Sequence, residues 1–202
     1  DIKNHRKETV MELILASASP RRKALMEMVG LRFFVIPSDA DEDIGSCPPG
    51  EMVEKLALLK AASVKEGRRN CCVIGCDTVV VIDGKVLGKP SDGECAVKTL
   101  SLLQGRTHEV YTGLCLITDD RQLVCHDVAN VTFSPMSGRE IRSYVKTGEP
   151  MDKAGAYGIQ GIGGIFVERI EGSYFTVVGL PLHMLGRMLG ELGVSVLDLI
   201  QA

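Results

Sequence analysis

The sequence has 202 residues, of which 45% are hydrophobic and 24% are charged. This length is enough for one large domain with a buried core, and the composition excludes collagen-like, low-complexity and disordered chains. No apolar run reaches the ~18 residues that a membrane-spanning helix needs. We therefore expect no membrane partner. The formal net charge of -3 argues against non-specific binding of nucleic acid, but a small anionic ligand remains compatible with it.

The seven cysteines are odd in number and form no C-x-x-C pair, which disfavours a disulfide framework. Cys72 and Cys76 lie in one predicted strand, where a rise of ~3.3 Å per residue places them ~13 Å apart, too far to share one zinc ion. We therefore interpret the cysteines as free thiols in a reducing compartment, and we expect a cytoplasmic protein.

The first residues are polar and of mixed charge, and they lack the apolar core of a signal peptide. Residues 1–11 are predicted to form a flexible N-terminal extension. No linker, repeat or charge run divides the remainder, so residues 12–202 are predicted to form a single domain.

The hydrophobic pattern predicts an alternation of strands and helices in the first half of the chain and hairpins in the second. A strand at 13–16 is followed by a helix at 21–29 with Ser19 as N-cap and Pro20 at its first position. Strands are predicted at 32–36, 71–82, 86–87, 109–118, 123–133, 165–170 and 174–178, and further helices at 51–65, 91–104, 137–148 and 180–192. Two capping-box patterns, beginning at Ser91 and Ser137, mark the starts of two of these helices. The order indicates a curved mixed sheet flanked by helices, in the α/β class.

Two arginines in the first turn of the first helix are unusual, because the helix dipole disfavours cations there. The segment SASPRR places Ser17, Arg21 and Arg22 at a strand-to-helix turn. Hydroxyl groups, free N–H groups and guanidinium groups together can hold phosphate oxygens. The alternative is that both arginines point into water at an exposed helix end.

Asp77 interrupts the otherwise apolar predicted strand at 71–82. A buried carboxylate is costly unless it is paired, hydrogen-bonded or bound to a metal, so such a group is a candidate general base or Mg²⁺ ligand. A solvent-exposed carboxylate at a strand end would look the same in the sequence.

Lys89 precedes a proline, which restricts its backbone, and the glycine-rich stretch MDKAGAYGIQG carries Gln160. The amide of Gln160 can pair with a base edge, although the glycines could equally serve only turns. No Walker A, G-x-G-x-x-G, G-x-S-x-G or H-E-x-x-H motif is present, so these standard nucleotide and hydrolase signatures are excluded.

Four segments, SASPRR, GCDT, GKP and MDKAGAYGIQG, resemble in order and spacing the Maf family of nucleoside triphosphate pyrophosphatases. The resemblance covers about residues 13–192. It implies a two-lobed α/β fold around a deep cleft, related to the inosine triphosphate pyrophosphatases. It also implies hydrolysis of a nucleoside triphosphate to the monophosphate and pyrophosphate with Mg²⁺ or Mn²⁺. Cys76 departs from the alanine that is usual in the family.

The same matching implies roles for particular residues. Asp77 corresponds to the proton acceptor and Lys89 to a second catalytic residue, while Glu42 and Asp77 correspond to metal ligands. The residues that match substrate-binding positions are Ser17, Arg21, Arg22, Lys60, Thr78, Lys153 and Gln160. Without the resemblance, the acidic segment around Glu42 reads as a solvated loop.

The S-x-S-P-R-R form followed by Asp-Thr resembles the branch of the family that acts on dTTP and UTP, rather than the branch that acts on 7-methyl-GTP. The alternatives are a pyrophosphatase for CTP or a modified pyrimidine nucleotide, and a non-catalytic nucleotide-binding regulator of septum formation. A homodimer is suggested by the resemblance alone.

Overall fold

A computed structural model describes residues 11–201; the predicted extension at 1–11 lies almost wholly outside the described residues. The strands are β1 (Glu12–Leu15), β2 (Phe34–Val35), β3 (Cys71–Ile82), β4 (Lys85–Leu87), β5 (Thr107–Ile117), β6 (Gln122–Phe133) and β7 (Val167–Glu171). The α-helices are α1 (Pro20–Met28), α2 (Pro49–Lys65), α3 (Gly93–Leu103), α4 (Gly138–Lys146), α5 (Tyr174–Val178), α6 (Leu182–Glu191) and α7 (Val196–Gln201). None of these described helices is long and apolar enough to cross a membrane.

The described strands form one mixed sheet in the order β2-β1-β3-β5-β6-β7, with β4 also paired to β3. The β2, β1 and β3 strands are parallel, whereas β3, β5, β6 and β7 are joined by antiparallel pairing. Helices flank this sheet, so the predicted α/β class and mixed sheet are confirmed.

The central strand β3 changes partners along one of its edges. Residues 71–74 pair with β1 and residues 80–82 pair with β4, whereas β5 accompanies the opposite edge over residues 73–81. Between the two partners, residues 75–79 have no neighbouring strand on that edge within the described part of the chain. The sheet therefore opens at the middle of its most buried strand.

The hydrophobic core is divided on either side of this opening. One cluster gathers β1, the first half of β3, α1 and α6, with Leu15, Met26 and Leu189 fully buried. A second cluster gathers the second half of β3, α3 and α4, with Leu100 and Phe133 fully buried. Two packed regions thus border one gap in the sheet.

Two glycines allow α2 to lie directly against the sheet. A Cβ atom added to Gly75 on β3 would be 2.1 Å from the carbonyl oxygen of Ala57, and one added to Gly113 on β5 would be 2.1 Å from that of Val53. Only glycine permits such close contact between backbones. The contact brings Lys60, on the same helix, over Asp77, which lies two residues after Gly75 on the same face of β3.

Several local predictions need correction. Residues 174–178 were predicted as a strand because Tyr, Phe, Thr and Val favour strands, but they form the short helix α5, which ends at Gly179. The N-cap of α3 is Asp92 and not Ser91. The Asp92 carboxylate accepts a hydrogen bond from the N–H of Cys95. The strand predicted at 32–36 is reduced to two residues, and α7 was not predicted.

Other local predictions hold. The capping box at Ser137 and Glu140 is present with both of its hydrogen bonds. Ser19 occupies the N-cap of α1 with Pro20 as the first helical residue, although its side chain makes no capping hydrogen bond.

Candidate active site

A cleft of about 600 Å³ lies where one edge of β3 has no neighbouring strand. Every side chain that the sequence singled out for binding or catalysis lines this cleft: Ser17, Arg21, Arg22, Glu42, Lys60, Asp77, Thr78, Lys89, Lys153 and Gln160. They come from the β1–α1 turn, the first turn of α1, the loop before α2, α2 itself, β3, the segment after β4 and the glycine-rich segment. The fold therefore brings together residues that are distant in the chain.

A carboxylate–ammonium–carboxylate cluster forms one wall of the cleft. The Nζ of Lys60 donates to Oδ1 of Asp77 over 2.7 Å and lies 3.1 Å from Oε1 of Glu42. The side chains of Lys60 and Asp77 are only 14% and 12% exposed, whereas that of Glu42 is 58% exposed. The sequence alternative of a solvent-exposed strand-end carboxylate is thus wrong for Asp77, because its charge is compensated inside the protein.

The same two carboxylates are the residues that could hold a divalent cation. Both direct an oxygen at one point, now occupied by the Lys60 ammonium, and oxygen donors are those that Mg²⁺ prefers. Among the described residues there is no group of three or more His, Cys, Asp and Glu side chains that could hold a metal. Asp77 and Glu42 are thus two oxygen donors, and a divalent cation held by them would need further oxygens, such as those of substrate or water, to complete its coordination.

Arg22 crosses from α1 to the opposite wall and is held at three points. Its Nε donates to the carbonyl oxygen of Gly179 (2.8 Å), its Nη1 to Oγ of Ser17 (3.1 Å) and its Nη2 to Oγ1 of Thr78 (3.1 Å). Gly179 has a φ of +113°, and an added Cβ would lie 3.1 Å from the Thr78 hydroxyl. Glycine is therefore needed there both for the backbone conformation and for the space.

Arg21 and Lys153 converge on the exposed carboxylate of Asp152. The Nη1 of Arg21 lies 3.3 Å from one oxygen of Asp152, and the Nζ of Lys153 donates to the other over 2.6 Å. Burial acts to raise the pKa of Asp152, but the hydrogen bonds and charges of Lys153 and Arg21 outweigh it and hold that pKa below its usual value. Asp152 is therefore ionised at neutral pH and bridges cations from two sides of the cleft.

The glycine-rich segment that carries Gln160 is fixed by Tyr144 and Glu149. The carboxylate of Glu149 accepts from the N–H groups of Ile162 (2.8 Å) and Gly163 (2.9 Å) and from the hydroxyl of Tyr144 (2.8 Å). Burial acts to raise the pKa of Glu149, but these hydrogen bonds prevail and lower it. An ionised Glu149 thus anchors the turn that presents the exposed amide of Gln160 to the cleft.

Lys89 follows β4 at the rim of the cleft. It is exposed, and no carboxylate of residues 11–201 lies within ion-pair distance of it. With Arg21, Arg22, Lys60 and Lys153, it gives the cleft five cations against the three carboxylates of Glu42, Asp77 and Asp152, whereas the whole chain has a net charge of -3. A small polyanion fits this distribution of charge.

Comparison with known proteins shows the family of this chain. Residues 12–192 match the family described as "Maf-like protein". This chain belongs to the Maf family. A relative named dTTP/UTP pyrophosphatase from Symbiobacterium thermophilum is 48% identical over 91% of this chain and 95% of its own length. A relative of the same name from Bacillus cereus is 44% identical over 94% of each chain.

Among solved structures, the Staphylococcus aureus Ham1 protein aligns with 60% of this chain and 71% of its own, with 18% identity and a TM-score of 0.45. We draw no conclusion from so distant a likeness. The relationship of this Maf chain to the inosine triphosphate pyrophosphatases stays a prediction.

Cys76, where this chain differs from the expected alanine, lies in the core of the Maf fold and not in its cleft. It is fully buried, and burial raises the pKa of its thiol to about 11. All seven cysteines are free within the described residues, in agreement with their interpretation as thiols. The cysteines thus take no part in the site.

Sequence reasoning missed the residues that support the site from behind. Thr112 and Thr176 connect to Thr78 through hydrogen bonds, and Gly179 receives Arg22. The wrong strand at 174–178 concealed Gly179, since a glycine after a helix is a recognisable C-cap whereas a glycine after a strand is not. Tyr144 and Glu149 had no local signal at all.

Proposed function

We propose that this protein hydrolyses dTTP and UTP to the nucleoside monophosphate and pyrophosphate, and so removes these nucleotides from the cellular pool. The observation that carries the proposal is the largely buried Asp77 carboxylate, paired with Lys60, at the base of a cleft whose walls carry cations from several elements. The names of the close relatives support the same reaction and substrates. The setting we propose is the cytoplasm, with a small nucleotide as the partner; a homodimer stays a prediction.

The triphosphate binds to the cationic walls in this proposal. Arg21, Lys89 and Lys153 lie at the cleft surface, where their charges balance those of the phosphates. Arg22 keeps two N–H groups beyond those that bind Ser17, Thr78 and Gly179. A cleft that fixes several phosphate oxygens at once also fixes the orientation of the scissile bond.

Asp77 is the proton acceptor of the reaction. A water molecule attacks the α-phosphorus, a new P–O bond forms, and the proton of the water passes to the Asp77 carboxylate. The bond between the α-phosphorus and the bridging oxygen breaks, and its electron pair leaves with pyrophosphate. Lys60 holds Asp77 in place, and Lys89 offsets charge on the leaving group.

Asp77 and Glu42 are the residues that would hold Mg²⁺ or Mn²⁺. When bound, such an ion neutralises phosphate charge and favours the departure of pyrophosphate. Lys60 contacts both carboxylates, so a bound ion would share them with its ammonium group.

In this proposal Gln160, Thr78 and Arg22 contribute to the recognition of the base. An amide offers both a donor and an acceptor to a pyrimidine edge. CTP or a modified pyrimidine nucleotide is the second candidate substrate, because the same amide can rotate to reverse its donor and acceptor.

The test is the isosteric variant Asp77→Asn, which retains the shape of the side chain but cannot accept the proton as a carboxylate does. We expect pyrophosphate release from UTP and dTTP to fall at least about a thousandfold, a size typical for the loss of a general base with its electrostatic contribution. Nucleotide binding, measured by calorimetry, should change much less.

The matched control is Asp83→Asn, at an exposed aspartate paired with Arg106 outside the cleft, which should retain full activity. Near-normal turnover by Asp77→Asn would contradict the proposed mechanism. Binding of nucleotides by the wild-type protein without turnover of any common NTP or dNTP in the presence of Mg²⁺ would instead favour a non-catalytic regulator.

A further inference from the structure

A chain of hydroxyl groups extends from Thr78 into the protein. The Oγ1 atoms of Thr78 and Thr112 are 2.9 Å apart, and Oγ1 of Thr112 lies 2.8 Å from the carbonyl oxygen of Thr176. The Thr176 hydroxyl in turn donates to Oδ2 of Asp127 over 2.5 Å. Thr112 and Thr176 are both 0% exposed, so water does not reach these two hydroxyl groups, whereas Thr78 lines the cleft.

The chain has only one consistent direction. A carbonyl oxygen can only accept, so the single hydroxyl proton of Thr112 goes to Thr176. Thr112 must then accept from Thr78, which commits the only hydroxyl proton of Thr78. Arg22, which has no acceptor, donates to the remaining lone pairs of Thr78.

Thr78 can therefore act only as an acceptor toward the cleft. Such a hydroxyl holds the guanidinium of Arg22, which has only donors and therefore needs an oxygen lone pair at this point. The direction of the Thr112 hydrogen bond thus decides how firmly Thr78 holds Arg22, although Thr112 itself does not line the cleft.

From this geometry we propose that Thr112 is a positioning residue for substrate binding, which acts by fixing the Thr78 hydroxyl and, through it, the guanidinium of Arg22. This inference rests on the proposed function. Loss of the Thr112 hydroxyl frees the proton of Thr78 to turn toward the Arg22 guanidinium, which cannot accept it, and so weakens one of the three fixed points of Arg22. Two other points, Ser17 and Gly179, remain.

The effect falls on binding and not on the chemical step. Successive side chains of a strand point to opposite faces, so Asp77 and Thr78 lie on different faces of β3. Asp77 contacts Lys60 on the α2 face, whereas Thr78 contacts Thr112 and Arg22 on the other. A change at Thr112 leaves the Asp77–Lys60 pair intact.

Two variants at the same position separate the hydroxyl from the packing. Thr112→Val keeps the shape and removes the hydroxyl, while Thr112→Ser keeps the hydroxyl and removes a methyl group. We expect Thr112→Val to raise the KM for UTP about tenfold, which corresponds to about 1.4 kcal/mol, with kcat within about threefold of the wild type. Thr112→Ser should keep the wild-type KM.

Equal KM values for Thr112→Val and the wild type would overturn the proposal, as would a fall in kcat with KM unchanged. A KM raised equally by valine and serine would also overturn it, since packing would then be the cause. Circular dichroism and urea unfolding identify a variant that fails to fold. If Thr112→Val fails to fold, Thr176→Val serves as the second probe. It removes the hydroxyl that binds Asp127 but keeps the carbonyl oxygen that accepts from Thr112. It should leave KM unchanged, and a tenfold rise would overturn the role given to Thr112.

A second measurement keeps this test apart from the proposed function. If the wild-type protein releases no pyrophosphate from any nucleotide, the proposed function fails, but the Kd of α,β-methylene-UTP still reports on the chain of hydroxyls. Weaker binding by Thr112→Val than by Thr112→Ser supports the positioning role, and equal binding overturns it.

Discussion

Asp152 holds two of the cations that a triphosphate needs. Its carboxylate bridges Arg21 on α1 and Lys153 of the glycine-rich segment, and it is 62% exposed at the mouth of the cleft. A phosphate group that binds to either cation has to compete with this carboxylate. Exposed ion pairs contribute little free energy, so the competition lowers the affinity for phosphate without preventing binding.

At the scale of this residue, we predict that Asp152→Asn lowers the KM for UTP by about threefold, because the neutral amide no longer competes with phosphate for Arg21 and Lys153. Initial rates of pyrophosphate release over a range of UTP concentrations measure the effect. Asp83→Asn, which neutralises an equally exposed aspartate outside the cleft, provides the comparison and should leave KM unaltered. A KM that stays the same or rises in Asp152→Asn would show that Asp152 orients the cations instead of competing for them.

At the scale of the element, the position of α2 depends on the absence of side chains at two points. Gly75 and Gly113 let the helix backbone approach the sheet, and this approach sets the height of Lys60 above Asp77. Because α2 is rigid, its close contact with the sheet at Gly75 also fixes the position of Lys60 on the same helix. The geometry of the Asp77–Lys60 pair is thus determined by glycines that never contact it.

We predict that Gly75→Ala destabilises the protein by about 3 kcal/mol, because its Cβ would meet the backbone of α2, which cannot move as a flexible side chain can. Urea unfolding measures the loss, and pyrophosphate release should fall with it as Lys60 is displaced.

The matched variant is Gly190→Ala, in α6, where an added Cβ has no atom within 4 Å. It should leave stability unchanged or raise it by up to about 1 kcal/mol, since alanine favours the helix. Equal effects of the two substitutions would contradict a specific contact at Gly75.

The predictability of each element follows from where its determinants lie. The long strand β3 and the capping box at Ser137 are encoded in neighbouring residues, and both were predicted from the sequence. The cations of the cleft were also named from the sequence, Arg21 and Arg22 from their place at a helix start and Lys60 and Lys153 from the resemblance to the Maf family alone. In contrast, α5 was mistaken for a strand because its β-branched and aromatic residues favour strands, and packing against β5 and β6 overrides that preference.

The support behind the site was beyond prediction for a different reason. The contact between Arg22 and Gly179 joins residues 157 positions apart, and the hydroxyl of Thr112 resembles that of any threonine in a strand until its partners are known. The role of such a residue is set entirely by tertiary contacts, which no local pattern contains.

At the scale of the whole molecule, a buried histidine couples folding to pH. His108 on β5 is 2% exposed, its Nε2 lies 2.9 Å from the Tyr157 hydroxyl, and its Nδ1 has no hydrogen-bond partner among the described residues. Burial lowers the pKa of His108 from 6.5 to about 4. The folded protein therefore keeps this imidazole neutral where the unfolded chain already binds a proton.

The sign of the effect follows from that difference. Above pH 6.5 the imidazole is neutral in both states, and the free energy of unfolding is unaffected by its titration. As the pH falls from 6.5 toward 4, only the unfolded chain gains the proton, so the free energy of unfolding decreases. Between pH 7 and pH 5, the wild type should lose about 2 kcal/mol more free energy of unfolding than His108→Gln, which cannot titrate. Urea unfolding at both pH values gives the comparison.

His183→Gln removes an exposed histidine and should keep the pH dependence of the wild type. If His108→Gln and the wild type respond equally to acid, the buried imidazole is not the source of the pH dependence.

The unpaired stretch on one edge of β3 bears on whether the protein aggregates in a concentrated solution. An unpaired strand edge is normally a template on which a second molecule can add a strand, and long open edges lead to aggregation. Here the open edge is confined to residues 75–79, and β1 and β4 occupy the same edge on either side. An incoming strand would have to displace one of them in order to gain a useful length of pairing. The short open edge therefore offers little pairing to a second chain.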